Sequence, residues 1–372
     1  MSKITKYALS DLYDMSSGLS SKKEQAGHGA PFVSFGTVFN NYFLPEELPD
    51  LMDTNEKEQQ IYSIKTGDVL ITRTSETIDE LAMSCVAVKD YPKATYSGFT
   101  KRLRPKREGI AYPKYMAFYF RSALFRKAVT NNAFMTLRAS FNEDIFTFLD
   151  VYLPDYDEQV RIGDMLYNIE CKIQKNKEIN DYLEQLLCLL YENMMNDAQT
   201  GNITGHNTIA SALTNIVTGK EDANFSSPNG KYSFFTCSSN TLKCDEYAFN
   251  ASSILIAGNG EFNVKHYTGK FNAYQRTYVL IPDLEYYGLL YLASMYQIKS
   301  FKSAASGSIV KFITKGDIEN IPVFIPDNKA ILNKFNCLLM LQEQYQKESD
   351  ELASIRDWLL PMLMNGQAAI ED

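Results

Sequence analysis

The chain repeats itself, and this repeat constrains the fold more than any other feature of the sequence. Val151–Asp155 (VYLPD) returns 172 residues later as Val323–Asp327 (VFIPD). The same offset relates further pairs of like residues upstream: Tyr115 and Tyr287, Tyr119 and Tyr291, Ser122 and Ser294, Leu137 and Ile309, Phe141 and Ile313. Matches that keep one order and one spacing are the signature of an internal duplication. We therefore expect two tandem copies of one fold.

The offset grows toward the start of each copy. Val69–Ile71 resembles Ile254–Ile256 at an offset of 185, and Met15–Gly18 resembles Ile216–Gly219 at an offset of 201. The first copy therefore carries extra residues between these landmarks, and we expect them to include the acidic stretch Glu46–Glu58.

Each copy is predicted to have a mixed part followed by a long helix. Short apolar runs bounded by glycine predict strands at Asp68–Arg73, Cys85–Val88 and Ser253–Ala257, while Tyr112–Lys127 and Tyr286–Phe301 are typical of aromatic-rich helices. Because 372 residues are too many for one compact core, we divide the chain into a first mixed domain (1–154), a central long helix (155–200), a second mixed domain (201–326) and a C-terminal long helix (327–372).

The first long helix is predicted to begin after Pro154, with Asp155 as its N-cap. Apolar side chains then follow heptad spacing in two stripes, which include Ile162, Leu166, Ile169, Ile173, Leu183, Leu187 and Leu190. Asn176 and Asn180 interrupt these stripes, at positions where a polar group commonly fixes the register of paired helices.

The second long helix begins after Pro326 and shows one apolar stripe at seven-residue spacing: Ile331, Leu338, Tyr345, Leu352 and Leu359. Its companion stripe is weaker, since Phe335 and Leu363 are apolar but Gln342, Ser349 and Arg356 are not. Two long helices after the same strand-Pro-Asp junction predict an antiparallel coiled coil. About 35 residues of helix span roughly 50 Å, enough to act as a spacer between two domains that each bind one DNA segment.

Composition excludes several classes of protein. The net charge of −8 argues against a protein whose whole surface coats nucleic acid, but not against local basic patches. Tyr286–Ile298, the longest apolar run, is too short to span a bilayer, and the first ten residues lack an apolar signal core. Six cysteines without a CxxC pair, and only three histidines, disfavour a disulfide scaffold and a metal site. We expect a cytoplasmic protein without a membrane partner.

Basic residues concentrate between Lys101 and Arg138, where ten of them accompany a single acid, Glu108. Such an excess in an acidic chain predicts a phosphate-binding surface. In the second copy, polar side chains between the repeat landmarks are candidates for base edges, and Arg73 follows the first core strand as Asn259 follows the second. The full set of DNA-binding candidates is Arg73, Lys101, Arg102, Arg104, Arg138, Asn259, Lys265, Gln275, Arg276 and Lys311.

Motifs for catalysis are weak. The chain has neither a phosphate-binding glycine loop nor the Asn/Asp-Pro-Pro-aromatic tetrapeptide of amino-methyltransferases. Asp155 followed by Glu170-Cys171-Lys172 resembles a nuclease motif, but one carboxylate caps a predicted helix and the other lies within it. The recurring aromatics Tyr115, Tyr119, Tyr287 and Tyr291 favour core packing over base stacking. We therefore predict no catalytic residue in this chain.

Four stretches resemble the specificity subunit of type I restriction–modification systems. Asn229–Thr236 (NGKYSFFT) resembles the opening of its target domain, and Gly67–Ile71 (GDVLI) resembles the core strand. Val151–Ile162 (VYLPDYDEQVRI) is similar to the family's domain-to-helix junction, and Leu359–Gln367 (LLPMLMNGQ) to its ending. The second junction departs from the pattern, because Pro326–Ala330 lacks the Glu-Gln pair.

The resemblance implies an α+β fold with two target-recognition domains that read the halves of a split double-stranded DNA sequence. It also implies that the helix pair spaces these domains and docks two modification subunits, which carry S-adenosylmethionine and methylate adenine. Whether ATP- and Mg-dependent restriction subunits join the complex stays open. No cofactor is expected in this chain.

Two alternatives stay open from the sequence. One is the recognition end of a stand-alone restriction nuclease or methyltransferase. The other is a protein scaffold whose coiled coil binds partners while its mixed domains bind something other than DNA.

Overall fold

The computed structural model describes residues 4–75, 77, 80–132, 139–304 and 312–368. The chain divides into two compact units, one formed by Met1–Ile173 with Asp350–Asp372 and the other by Gln174–Ser349. Each unit thus holds one mixed domain together with segments of both long helices. In the described residues, no helix has the length and hydropathy of a bilayer-crossing segment.

The strands of the first copy are β1 (Thr5–Ala8), β2 (Tyr13–Ser17), β3 (Ala26–Val33), β4 (Asp50–Met52), β5 (Val69–Thr72), β6 (Thr74–Ser75), β7 (Ser84–Val86), β8 (Thr95–Tyr96), β9 (Thr100–Pro105), β10 (Ala139–Ser140) and β11 (Asp150–Leu153). Its helices are α1 (Leu9–Leu12), α2 (Phe35–Asn40), α3 (Glu56–Ile61), α4 (Pro113–Tyr119), α5 (Ala123–Asn132), α6 (Glu143–Phe148) and the long α7 (Tyr156–Gln199).

The strands of the second copy are β12 (Gly205–Ile209), β13 (Thr214–Thr218), β14 (Tyr232–Phe235), β15 (Leu242–Cys244), β16 (Phe249–Ala257), β17 (Val264–Ala273), β18 (Thr277–Pro282) and β19 (Pro322–Pro326). Its helices are α8 (Tyr287–Ala304), α9 (Lys315–Glu319) and the long α10 (Lys329–Met364).

The two copies share one strand topology. The first copy forms a sheet in the order β2-β9-β5-β7, and the second forms β13-β18-β16-β17 within a six-stranded sheet. In both copies these neighbours are antiparallel, and the first strand also pairs with the last, β1 with β11 and β12 with β19. The expected duplication is confirmed at the level of the hydrogen-bond pattern.

The copies differ where the first one is longer. In the second copy the single strand β17 pairs with both β16 and β14, whereas in the first the corresponding partners are two short strands, β7 and β8. The first copy also has α2 and α3 in this region, while residues 236–241 join β14 to β15 without a helix.

The predicted aromatic helix of the first copy is broken into α4 and α5. The Ser122 hydroxyl donates a 2.6 Å hydrogen bond to the carbonyl of Tyr119, and it accepts one from the amide of Phe125. A serine that bonds to nearby backbone competes with helix continuation and favours a cap. Its counterpart Ser294 lies within the unbroken α8, where its hydroxyl is buried and has no hydrogen-bond partner.

Each unit has its own hydrophobic core. Tyr115, Phe118 and Tyr119 are almost completely buried in the first, and Tyr287 and Tyr291 are buried in the second. The prediction that these aromatics pack in the core rather than stack on bases is confirmed.

The first long helix begins as predicted. The Asp155 carboxylate accepts a hydrogen bond of 3.0 Å from the amide of Glu158, which is N-cap geometry. Within the second unit, α7 and α10 run antiparallel, because Asn176 bonds to Glu348 at 2.7 Å while Asn180 bonds to the carbonyl of Gln342 at 3.3 Å.

The weaker stripe of α10 faces α7. We call the contact between these two helices the seam. Gln342 is 7% exposed, and the Arg356 side chain is 14% exposed, whereas Leu338, Tyr345, Leu352 and Leu359 are only half-buried. Polar residues of α10 lie in the seam because α7 presents buried polar groups, which require polar partners across it.

These seam contacts obey the repeat. In the first unit, Arg356 donates a 2.6 Å hydrogen bond to the carboxylate of Glu170. In the second unit, Gln342 donates one of 3.3 Å to the carboxylate of Glu184. At the offset of 172, Glu170 corresponds to Gln342 and Glu184 corresponds to Arg356. The two pairs are therefore equivalent, except that the acidic residue lies on α7 in both and the corresponding positions are exchanged between the helices.

Gly18 and Gly219 occupy equivalent sites of close backbone approach. Their amides donate to the carbonyls of Thr100 and Thr277, at 3.3 and 3.0 Å. A Cβ at Gly18 would collide with the carbonyl oxygen of Ser97, and one at Gly219 with that of Ala273.

We therefore predict that Gly18→Ala and Gly219→Ala each lower the free energy of unfolding by about 3 kcal/mol or more, because the backbone must separate to admit a methyl group. Gly36→Ala is the matched control, since the nearest atom to its added Cβ is a serine hydroxyl oxygen 3.8 Å away. Chemical denaturation of the three full-length variants measures the effect. Equal stability of all three would contradict the close approach.

Candidate nucleic-acid interface

A tight turn between β8 and β9 forms the centre of the candidate site in the first copy. The Ser97 carbonyl accepts the amide of Thr100 at 2.9 Å, and the amide of Gly98 donates to the carbonyl of Leu19 at 2.7 Å. The Phe99 carbonyl in turn accepts the amide of Arg73 at 2.8 Å. Three backbone segments therefore fix the shape of this turn.

The turn between β17 and β18 has the same hydrogen bonds in the second copy. The Tyr274 carbonyl accepts the amide of Thr277 at 2.8 Å, and the amide of Gln275 donates to the carbonyl of Glu221 at 2.9 Å. The Arg276 carbonyl accepts the amide of Gly258 at 2.9 Å. The two turns are thus equivalent, with Phe99 and Arg276 at the same position.

This register corrects one sequence expectation. Arg73 follows the first core strand at the position of Gly258, not of Asn259, because these two amides make the equivalent bond to the turn. Asn259 is half-buried one residue farther along.

Two cations lie beside the first turn. Arg73 is exposed, and Lys101 is half-buried with its ammonium 2.9 Å from the hydroxyl of Ser17. Burial lowers the pKa of Lys101, and the positive charge of Arg73 lowers it further. An anion such as a phosphate would relieve this repulsion, so the pair is suited to a phosphate contact.

Gln275 and Arg276 lie exposed at the tip of the second turn. Both side-chain types form hydrogen bonds to base edges, guanidinium to guanine and carboxamide to adenine. The sequence-predicted candidates at this turn are therefore accessible.

Arg102 is a wrong candidate. Its residue is only 8% exposed, its guanidinium donates to the carbonyl of Ser63, and it lies over the ring of Tyr96 at 5.5 Å. Residues alternate between the two faces of a strand, so Arg102 in β9 points away from the face of Lys101. A guanidinium buried in this way is not available to phosphate.

Arg104 lies on the same face as Arg102 and has a structural partner. It forms a 2.6 Å ion pair with the fully buried carboxylate of Asp68 and donates to the carbonyl of Ser63 at 2.9 Å. Releasing Arg104 would leave Asp68 as an uncompensated buried charge. We therefore assign it to the fold of the domain.

The basic run does not form one continuous surface. Lys106 pairs with Asp14 and Lys114 with Asp164, while Arg121 donates to four backbone carbonyls. The run is spread over a strand and two helices, and much of its charge is used inside the unit. A single phosphate footprint formed by the whole run stays a prediction, and this arrangement disfavours it.

Lys265 is held within the second unit. Its ammonium donates a 2.6 Å hydrogen bond to the carbonyl of Ser238, and burial lowers its pKa. Its role as a DNA contact stays a prediction that this geometry disfavours. Arg138 and Lys311 lie outside the described residues.

Phe99 was not identified from the sequence. It is 65% exposed at the tip of the first turn. Its offset from Arg276 is 177, which differs from the offsets of all three landmarks used to detect the repeat. Only the paired strands reveal the correspondence.

The nuclease-like residues are separated. Asp155 caps α7, and Glu170 lies fifteen residues farther along the same helix, about 22 Å at 1.5 Å per residue. Glu170 pairs with Arg356 in the seam. These carboxylates cannot hold one metal ion together. Within the described part of the chain, no group of three or more His, Cys, Asp or Glu side chains is placed to bind a metal.

Three apolar heptad residues of α7 lie in the hydrophobic cores of the units, Ile162 and Leu166 in the first and Leu187 in the second. Ile162, Leu166 and Leu187 are at most 2% exposed, so they support the spacer but offer no free surface to a partner. For the other residues of the heptad stripes, a role in the spacer or in subunit docking stays a prediction.

Known proteins resemble this chain in sequence and in fold. A family model described as the type I restriction modification DNA specificity domain matches residues 1–185 and 213–346. The specificity subunit of the type I restriction enzyme EcoDI from Escherichia coli is 39% identical over 166 residues, which cover 43% of this chain and 37% of that protein. The match thus spans less than half of the curated relative.

The solved S subunit of a type I restriction-modification system from M. genitalium has the same fold. It matches with a TM-score of 0.64 and 17% identity, over 97% of this chain and 96% of that one. Since the family model covers most of the sequence in two stretches, the chain belongs to the family of type I restriction-modification DNA specificity domains.

Proposed function

We propose that the chain is the DNA-specificity subunit of a type I restriction–modification complex. One observation carries this proposal: both copies present the same hydrogen-bonded turn, with exposed side chains at its tip. Two copies of one DNA-binding domain are suited to a DNA target in two halves. The different side chains on the two turns suit halves of different sequence.

In this proposal the chain binds DNA and performs no catalytic step. Two modification subunits, which bind S-adenosylmethionine, would methylate adenine in the recognised sequence. Restriction subunits that use ATP and Mg would join in complexes that also cleave. The wide separation of Asp155 and Glu170 disfavours the alternative of a stand-alone nuclease.

Methylation in a host with and without the gene tests the proposal directly. We expect methylated adenines in a split sequence motif that disappears when the chain is removed and returns when it is restored. Detection of modified bases across the genome measures this. An unchanged set of methylated motifs would contradict the proposed function and favour a scaffold.

The cations beside the first turn predict a specific salt dependence. Arg73→Gln combined with Lys101→Gln removes two charges suited to phosphate, so the slope of log K against log salt should become shallower by about one to two units. Titration of the full-length chain, purified with its modification subunits, against duplex DNA measures the slope.

The matched control removes two other cations of the same basic run. Arg107 and Lys127 are exposed, and Arg107 follows the end of β9 opposite to Lys101. Arg107→Gln with Lys127→Gln should leave the slope unchanged. A control that lowers the slope as much as the Arg73 and Lys101 variant would show that net charge, rather than this site, governs binding.

We also propose that the helix pair sets the distance between the half-sites. Deleting Lys172–Glu178 together with Gln346–Leu352 removes one heptad from each helix and both members of the Asn176–Glu348 pair. The seam contacts of Glu170, Glu184, Gln342 and Arg356 are outside the deleted segments.

A heptad keeps the same faces of the helices in the seam, and its removal shortens the pair by about 10 Å, the length of roughly three base pairs. We expect the methylated motif to lose about three base pairs of its nonspecific gap and to keep both half-sequences. Altered half-sequences with an unchanged gap would reject the spacer model.

A further inference from the structure

Phe99 places a large apolar ring in water at the tip of the turn between β8 and β9. It is 65% exposed, although burying such a side chain contributes about 1.5–3 kcal/mol to folding. Ser97 and Thr100 on either side of the turn are buried. The exposure is therefore specific to the tip of the turn.

Hydrogen bonds within the turn hold the Phe99 ring in its exposed position. Besides the three backbone bonds described above, the Ser97 carbonyl accepts the hydroxyl of Thr100 at 2.7 Å, and the hydroxyl of Ser97 accepts the amide of Phe99 at 3.2 Å. A Cβ at Gly98 would lie 2.9 Å from the carbonyl oxygen of Leu19. The ring is thus displayed by a rigid support, which lowers the entropy cost of inserting it into a partner.

The neighbours of the ring indicate what that partner is. The backbone amide of Arg73 donates a hydrogen bond to the carbonyl of Phe99. Lys101 lies two residues after Phe99, and its ammonium is 2.9 Å from the hydroxyl of Ser17. Cations that flank an exposed aromatic side chain are typical of nucleic-acid surfaces, where the charges contact phosphates and the ring contacts bases.

The equivalent turn of the second copy carries Arg276 at the position of Phe99. The same backbone scaffold therefore displays an apolar ring in one copy and a guanidinium in the other. A ring contacts the apolar surface of a base, whereas a guanidinium donates hydrogen bonds to a base edge, most often guanine.

We propose that these two turns are the reading elements of their half-sites, with Phe99 making an apolar contact to a base in one half and Arg276 a polar contact in the other. This inference rests on the proposed function and adds the residue in each copy that determines specificity. Two features of DNA offer the apolar surface that Phe99 requires, namely the methyl group of thymine and the face of an unstacked base.

Selection of bound sequences from a random duplex pool tests the proposal with the full-length chain and its modification subunits. Phe99→Ala should weaken binding by about 10- to 100-fold and relax selection at one or two positions of a single half-site. Arg276→Ala should relax the other half-site instead. Neither the salt slope nor the midpoint of thermal unfolding should change for Phe99→Ala, because the ring carries no charge and is exposed.

Modified DNA then separates the two sources of apolar surface. Uracil in place of each thymine of the selected half-site removes only the methyl group, so a loss of affinity in the wild type but not in Phe99→Ala assigns the contact to that methyl. A rise in 2-aminopurine fluorescence on binding of the wild type, absent in Phe99→Ala, assigns it to an unstacked base. Phe99→Leu keeps an apolar side chain and should retain part of the affinity.

Three results would overturn the inference. Unchanged affinity and selection in Phe99→Ala would reject the reading role while leaving the proposed function intact, provided that the wild type selects a split sequence. A lowered unfolding midpoint in Phe99→Ala would show that the ring serves folding. Absence of any sequence selection by the wild-type complex would reject this inference together with the proposed function.

Discussion

Direct contact between backbone segments at Gly18 and Gly219 supports the architecture of both copies. At each glycine the chain passes so close to the strand before the turn that no side chain fits between them. This approach allows the glycine amide to bond to Thr100 or Thr277, the first residue after the turn. Backbone groups thus determine the turn geometry, and the side chains at its tip are free to differ.

The helix seam follows a different physical rule, because it buries charge. The carboxylate of Glu170 and the guanidinium of Arg356 are each less than 15% exposed as side chains, and they pair at 2.6 Å. Burying such a pair gains little net stability, but separating its members would leave an uncompensated charge. A polar seam therefore penalises any shift in register more than an apolar one does. This constraint suits a helix pair whose length has to be reproducible.

Local signals in the sequence predicted the duplication, the strand-Pro-Asp junctions and the Asp155 cap, since each depends on residues that are near neighbours. Which basic side chains of the run between Lys101 and Arg138 are buried and which are accessible could not be predicted in this way. Arg102 and Lys101 are adjacent, yet one is buried against Tyr96 and the other reaches toward Ser17, because strand alternation separates them. Phe99 was missed for a related reason: its correspondence with Arg276 depends on strand pairing across insertions of different length.

If the turns read the half-sites as proposed, duplication alone would give two identical turns that recognise the same half-sequence twice. The two copies avoid this because their conserved element is a set of backbone hydrogen bonds, which constrains residue identity only where glycine is required or a hydroxyl participates. Gly98 and Gln275 are equivalent, as are Phe99 and Arg276, and neither pair shares any side-chain chemistry. In the proposed role, a rigid turn with variable tip residues would allow each copy to change what it recognises without changing its fold. By the same reasoning, substitutions at the tips should alter recognition, whereas substitutions at Gly18, Gly219 or the buried seam should alter stability.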